Sequence, residues 1–98
     1  IKKILKETIE KLISDNTPVY FTIDLDCLDP SCFPGTGTPE AGGVSFKELL
    51  ASIEQVTKAN IIGADVNELA PMLDNSGAST AMAAKVVREL LIAILKNK

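Results

Sequence analysis

Two short runs of strand-forming residues, separated by a helical segment, constrain the fold of this 98-residue chain more than any other feature. Residues 19–25 are dense in apolar side chains that favour strands, and residues 60–68 have the character of a second buried strand. Continuous runs of this kind are typical of parallel strands that are covered on both faces. Two parallel strands joined by a helix form a βαβ unit, which is almost always right-handed.

Three helices are predicted around these strands. Apolar residues recur on one helical face of residues 1–14. Ser45 and Glu48 have the spacing of a capping box, so a second helix begins there, and it should end near Lys58. A final helix covers residues 79–96. The predicted order is α-β-loop-α-β-loop-α, an α/β fold class.

The two strands and the last helix need more neighbours than this order supplies. Strands covered on both faces require further strands beside them and helices on each side. Residues 90–95 are apolar nearly all round the helix, which predicts burial on more than one side. We therefore expect the chain to be part of a larger domain or to bury these surfaces against another chain.

The composition argues against several functional classes. Apolar residues make up 46% and charged residues 23% of the chain, and the net charge is −3, which favours neither nucleic acid nor a membrane surface. No apolar run approaches the roughly 20 residues that span a bilayer. Cys27 and Cys32, without a secretory signal, indicate packed, reduced thiols in the cytoplasm. The absence of histidine argues against a zinc site.

Acidic residues follow the first strand, at the end where α/β proteins bind ligands. Asp24 and Asp26 are two residues apart, so on a strand they would share one face. Two like charges on one face repel each other, and a divalent cation would remove that repulsion. Oxygen ligands favour magnesium, manganese or calcium. The alternative, in which one aspartate caps the loop and the other is solvated, stays open.

Two further acidic residues have different predicted roles. Asp29 precedes Pro30, beyond the strand, and is expected to accept hydrogen bonds from backbone N–H groups of the loop. Glu68 ends the second strand, where it could approach Asp24 and Asp26 and bind a cationic substrate. A guanidinium group, planar with paired donors, is the best geometric match. A glutamate that is simply solvated remains the alternative.

Other uses of the Asp-x-Asp pair fit less well. A calcium-binding EF-hand loop that opened at Asp24 would need an oxygen ligand at residue 28 and a glutamate at residue 35, where leucine and glycine stand. The sequence GTGT at residues 35–38 has no lysine after it, unlike a phosphate-binding loop. A magnesium-dependent phosphoryl or glycosyl transferase is kept as an unrelated alternative.

The segments "IDLDCLDPSCFPGTGTPEAGG" and "GADVNELAPMLDNSGAST" closely resemble two signatures of the ureohydrolases, the family of arginase and agmatinase. The resemblance extends over nearly the whole chain from Val19 onward. It implies an arginase-like three-layer αβα fold with a parallel sheet. It also implies a site with two manganese ions (Mn2+), at which a hydroxide attacks the carbon of a guanidino substrate and urea leaves.

The resemblance assigns roles to particular residues. Asp24 corresponds to the aspartate that bridges both metals, and Asp26 corresponds to one that binds a single metal. Thr38 and Glu68 correspond to residues near the substrate guanidinium. Asp29 corresponds to a structural aspartate, in agreement with its predicted place in the loop.

The family's histidine-bearing motifs are not in this sequence. Residues 1–98 therefore resemble the C-terminal portion of a single ureohydrolase domain. The wording "CFPGTGTPE" is closest to agmatinase, so we expect the parent protein to convert agmatine to putrescine and urea. An arginase, a guanidinobutyrase and an inactive isolated fragment remain alternatives. The complete protein is expected to be a cytoplasmic homo-oligomer with no nucleic-acid or membrane partner.

Overall fold

The computed structural model describes residues 2–98 of the chain and follows the predicted order of elements. Within these residues, each helix and strand begins and ends within two residues of its predicted position. Residue 1, where the first helix was predicted to begin, lies outside the described residues. The elements are helix α1 (Lys2–Ser14), strand β1 (Pro18–Asp24), a 3-10 turn (Leu25–Cys27), helix α2 (Phe46–Val56), strand β2 (Asn60–Asn67), a second 3-10 turn (Pro71–Leu73) and helix α3 (Ala78–Lys96).

The two strands pair in parallel, which confirms the predicted βαβ unit. The register places Thr22 opposite Asp65 and Asp24 opposite Asn67. An irregularity between Val19 and Tyr20 shifts the pairing near the start of the sheet. Because both strands run in the same direction, their carboxyl ends and the loops that follow them lie at one edge of the sheet.

Helix α2 begins with the predicted capping box. The Ser45 hydroxyl accepts a hydrogen bond from the Glu48 backbone N–H at 3.1 Å, and the Glu48 carboxylate accepts one from the Ser45 N–H at 2.9 Å. Two backbone donors that have no partner within the helix are thereby satisfied. Three residues then connect the end of the helix to β2.

The core lies between one face of the sheet and helices α2 and α3. Ile23 on that face packs with the helical side chains Ile53 and Val86. The loop after β1 adds Leu28 and Phe33, both completely buried. The loop is therefore anchored in the same core as the secondary structure, which positions its other residues.

The opposite face of the sheet is open in the part of the chain that the structure describes. Tyr20 is 60% exposed, and Thr22 and Asp24 on the same face are also exposed. Helix α3 likewise buries Leu90 but leaves Leu91 exposed. The predicted cover on both strand faces, and on several sides of the last helix, is therefore not found among residues 2–98, because two strands with helices packed on one face cannot enclose them.

Both cysteines are free, as predicted. Cys32 is partly buried and donates to the Asp29 carbonyl at 3.3 Å, but Cys27 is exposed, so the prediction of a packed thiol is wrong for Cys27.

None of the helices within residues 2–98 combines the length and the apolar character that crossing a membrane requires.

Candidate metal and substrate site

The first strand ends sooner than the pattern of aspartates suggested. Asp24 is the last residue of β1, and Asp26 lies in the 3-10 turn that follows. The prediction that the two share a face through strand alternation is therefore wrong, because the strand geometry does not reach Asp26. The turn nevertheless brings the two carboxylates together, by tightening the chain immediately after the strand.

Three carboxylates meet at this edge of the sheet and form the carboxylate cluster: Asp24, Asp26 and Glu68. One oxygen from each lies within 4.8 Å of the others. Asp24 as a residue is exposed, but loss of water around its carboxylate raises the pKa, and the negative charge of Asp26 raises the pKa further. Three crowded carboxylate oxygens are a donor set that suits a hard divalent cation, which would relieve their mutual repulsion. The residues present therefore fit the metal that the resemblance implies.

Glu68 reaches the carboxylate cluster through an unusual backbone conformation. Ala64 and Val66 pack against the core, and strand alternation would place Glu68 in the same row. Its φ is instead +82°, in the left-handed region that non-glycine residues rarely adopt. Such a conformation costs about 1–3 kcal/mol and is frequent at functional sites. The structure thus places Glu68 near the aspartates as predicted, while its role toward substrate stays a prediction.

Thr38 also lies at the cluster. Its hydroxyl donates a hydrogen bond of 2.8 Å to the Asp26 carboxylate, although twelve residues separate the two along the chain. The hydroxyl keeps its acceptor capacity while it donates to Asp26. All four residues that the sequence singled out, namely Asp24, Asp26, Thr38 and Glu68, are therefore connected at one end of the sheet.

Asp29 holds the loop after β1 in shape, as predicted. One carboxylate oxygen accepts from the backbone N–H groups of Gly42 and Gly43 at 2.8 and 3.2 Å. The other accepts from the Ser31 backbone N–H at 3.0 Å and from the Ser31 hydroxyl. These bonds, chiefly those from Ser31, lower the pKa of Asp29 to about 2. A carboxylate so occupied by loop donors is suited to structure more than to metal binding.

A second link between the loops escaped the sequence interpretation. The buried Ser79 hydroxyl donates to Asp74 at 2.6 Å and accepts from the Gly35 N–H at 2.8 Å. The Gly35 carbonyl in turn accepts from the Ala70 N–H at 2.7 Å. Asp74, Ser79 and Gly35 form what we call the Ser79 link. The Asp-x-Ser pattern at residues 74–76 indicates a local turn. Nothing local indicates the bond between Ser79 and Gly35, which lies 44 residues earlier in the chain.

A polar network on the open sheet face was also missed. Asp65 accepts hydrogen bonds from the Thr22 hydroxyl at 2.6 Å and the Tyr20 hydroxyl at 2.8 Å, and it also accepts one from the Asn67 amide. The bond from Thr22, followed by that from Tyr20, lowers the pKa of Asp65. We call these four residues the Asp65 network. The polar positions at period two along β1 were the available signal, hidden within a mostly apolar run.

The chain matches known sequences over almost its full length. A sequence profile of the arginase family matches residues 1–93. The chain is 47% identical over 94 residues to an agmatinase of Bacillus subtilis (strain 168) and 51% identical over 90 residues to an agmatinase of Halalkalibacterium halodurans. These alignments cover 94% and 90% of the chain but only 32% and 30% of the relatives. The chain therefore spans about a third of the length of the curated relatives that it matches.

Solved structures agree with the sequence matches. A candidate agmatinase from Clostridium difficile superimposes with a TM-score of 0.85 at 41% identity, over 94% of this chain and 33% of the other. An arginase from Bacillus caldovelox gives a TM-score of 0.79 at 33% identity, over 91% of this chain and 30% of the other. The predicted arginase-like α/β fold is thus confirmed. Together with the profile match over residues 1–93, these similarities show that the chain belongs to the arginase family.

Proposed function

We propose that the protein carrying this chain hydrolyses agmatine to putrescine and urea in a manganese-dependent reaction. The convergence of Asp24, Asp26 and Glu68 at the ends of two parallel strands is the observation that carries the proposal. The agmatinases among the relatives support this substrate over other guanidino compounds. The product putrescine would place the reaction in polyamine biosynthesis.

Asp24 and Asp26 would help to hold a pair of manganese ions. When bound, the ions would supply Lewis-acid chemistry and activate water at neutral pH. The carboxylates are the chain's own contribution, and they are pre-assembled. The Thr38 hydrogen bond restrains Asp26, and the pairing of β1 with β2 fixes the position of Asp24.

Glu68 and Thr38 would bind the substrate. The Glu68 carboxylate presents two acceptor oxygens, which match two parallel N–H donors of a guanidinium group. The Thr38 hydroxyl donates to Asp26 and can accept a further N–H with a lone pair. The two residues would therefore hold the guanidinium beside Asp24 and Asp26, with which they share one end of the sheet.

Hydrolysis also requires a proton for the leaving amine. The chain contains no histidine, the usual side chain for proton transfer near neutral pH. We propose that residues 1–98 are the C-terminal portion of one ureohydrolase domain and that other parts of the protein supply this group and the remaining metal ligands. The isolated chain should then bind manganese weakly and show no turnover.

The test is a manganese titration of the whole protein, with urea measured from agmatine, arginine and guanidinobutyrate in parallel. Urea from agmatine alone is expected. Urea chiefly from arginine or guanidinobutyrate would identify the alternative amidinohydrolases, and no urea from any of the three would refute the proposal. The isolated 98-residue chain, assayed beside the whole protein, should be inactive, and turnover by it would show that the site is complete within these residues.

We also propose that the whole protein is a cytoplasmic homo-oligomer. The free thiols of Cys27 and Cys32 suit a reducing compartment. The exposed apolar side chains of α3 are available to the rest of the domain or to a second copy, and the mass of the whole protein distinguishes the two. Light scattering after size-exclusion chromatography gives the mass directly. A monomeric mass at micromolar concentration would contradict the oligomer.

A further inference from the structure

The position of Glu68 needs an explanation, because its left-handed conformation is unfavourable by itself. Glu68 has a φ of +82°, and it lacks the conformational freedom that lets glycine adopt this value. Its side chain is exposed, so burial does not hold it in place either. Its neighbours must therefore supply the restraint. On its C-terminal side, Leu69 packs against the core and the Ala70 N–H donates to the Gly35 carbonyl at 2.7 Å.

On the N-terminal side, the Asp65 network restrains Asn67. The Asn67 amide donates to the Thr22 hydroxyl at 3.2 Å and also to the Asp65 carboxylate. Because an ionised carboxylate only accepts, the atom facing Asp65 must be the amide nitrogen, and this fixes the orientation of the amide. Asp65 is itself held by Thr22 and Tyr20 on β1. The last residue of β2 is thus bonded through side chains to the strand that carries Asp24.

We propose that Asp65 is a positioning residue, which holds Asn67 and thereby directs Glu68 toward Asp24 and Asp26. Asp65 does not belong to the carboxylate cluster, and it acts on the cluster through the peptide that joins Asn67 to Glu68. The Asp65 network, on the open face of the sheet, then serves to restrain Glu68. This inference rests on the proposed function for its kinetic readout but not for its structural one.

The kinetic test uses the whole protein with manganese bound. Asp65→Ala removes both carboxylate oxygens, so Thr22, Tyr20 and Asn67 all lose their acceptor. We expect KM for agmatine to rise about tenfold with a smaller change in kcat, and the manganese content to stay the same. In a Glu68→Gln background the same substitution should change KM by less than about twofold. Equal effects in both backgrounds would overturn the proposal.

The matched control is Asp29→Ala, which removes another carboxylate held by serine and backbone donors. It should lower the melting temperature without raising KM, since the Asp29 carboxylate bonds Ser31, Gly42 and Gly43, none of which belongs to the carboxylate cluster. If Asp65→Ala prevents folding, Asn67→Ala tests the same restraint, because it removes the amide and leaves the bonds from Tyr20 and Thr22 to Asp65. An unchanged KM in Asn67→Ala would refute the proposal.

A structural readout separates this inference from the proposed substrate. Crystal structures of the metal-free whole protein should show that the Glu68 carboxylate leaves Asp24 and Asp26 in Asp65→Ala or Asn67→Ala. A Glu68 carboxylate that stays in place in both variants would overturn the inference even if agmatine is hydrolysed. If the wild-type protein releases no urea but Glu68 moves in the variants, the proposed function fails and the positioning role stands.

Discussion

The loops that follow the two strands begin from the same local device and use it differently. Asp29 and Asp74 each accept hydrogen bonds from the N–H and the hydroxyl of the serine two residues later. The remaining oxygen of Asp29 binds N–H groups of Gly42 and Gly43, so it closes its own loop. The remaining oxygen of Asp74 binds Ser79, which connects helix α3 to the other loop.

This difference shows that one short motif can support either a local or a long-range restraint. The loop after β1 is closed on itself and carries Asp26 and Thr38. The loop after β2 carries Glu68 at its start and is held to the first loop through Gly35. Asp26 and Thr38 therefore belong to one loop and Glu68 begins the other, and the Ser79 link holds these two loops together.

The largest expected effect separates the chemical roles of the two strand ends. Asp24→Ala in the whole protein should lose manganese and activity together, because Asp24 is proposed to be a metal ligand. Glu68→Ala should retain manganese and raise KM about ten- to hundredfold, since the substrate loses a charged, paired acceptor. Metal content by mass spectrometry and steady-state urea assays measure both. Full metal content in Asp24→Ala would show that the assigned ligand role is wrong.

Closure of the first loop is tested at Gly43. A Cβ added there would lie 2.6 Å from the Asp29 backbone nitrogen and 2.7 Å from the Cys27 carbonyl oxygen. Backbone atoms cannot move aside cheaply, so Gly43→Ala should lower the free energy of unfolding by about 3 kcal/mol, as judged by urea denaturation. Gly37→Ala is the matched control, because an added Cβ there meets nothing within 4 Å. Equal losses in the two variants would contradict the steric explanation.

The Ser79 link is tested by removing its hydroxyl. Ser79→Ala leaves the Gly35 N–H without its acceptor and removes one donor from Asp74. Ser79 is fully buried, so we expect a loss of about 2 kcal/mol in the free energy of unfolding. Ser76→Ala, at an exposed serine that also bonds Asp74, should cost less. If the two variants lose equal stability, the bond between Gly35 and Ser79 adds no stability beyond that of the local turn at Asp74.

The pH dependence of stability is tested at Asp29. Its pKa in the folded protein is about 2, below the ordinary value of 3.8. The folded state therefore favours the charged form, and the resulting stabilisation is complete above about pH 4 and is lost as the pH falls toward 2. Asp29→Asn should flatten this part of the stability curve, which acid titration followed by circular dichroism measures. An unchanged acid limb would show that the loop bonds do not favour the ionised carboxylate.

The smallest effect concerns Thr36, which lies next to Gly35 in the first loop. Its side chain is 2% exposed, and its hydroxyl oxygen has no hydrogen-bond partner among the residues that the structure describes. Thr36→Val keeps the shape and removes the unsatisfied group, so stability should be unchanged or rise by up to about 1 kcal/mol. A loss of more than about 1 kcal/mol in the whole protein would show that the hydroxyl has a partner outside the described residues.

Residues close together in sequence were predictable in detail. The capping box at Ser45 and Glu48 depends on atoms three residues apart, and the predicted geometry is present. Asp29 was expected to bind loop N–H groups, and it does. The two strands and their parallel pairing followed from apolar runs separated by a helix. In each case the deciding interaction was local or followed from the period of the side chains.

The alternation of side chains along a strand predicts positions only as far as the strand itself extends. Asp26 was placed beside Asp24 by strand alternation, but the strand ends at Asp24 and a 3-10 turn makes the approach. Similarly, no pattern in the sequence indicates the left-handed conformation of Glu68. Tertiary contacts select these conformations, so the spacing of apolar and polar residues along the sequence carries no information about them.

The sequence by itself determined the order of the elements, the acidic strand ends and the membership of the arginase family, because these depend on local propensity and on motifs read along the chain. The tertiary structure decided which carboxylates meet, how Glu68 is turned toward them, and which residues hold the two loops together. The Ser79 link and the Asp65 network join residues more than 40 positions apart. Contacts of that kind form only when packing brings distant strands and loops to one edge of the sheet, so only the folded structure reveals them.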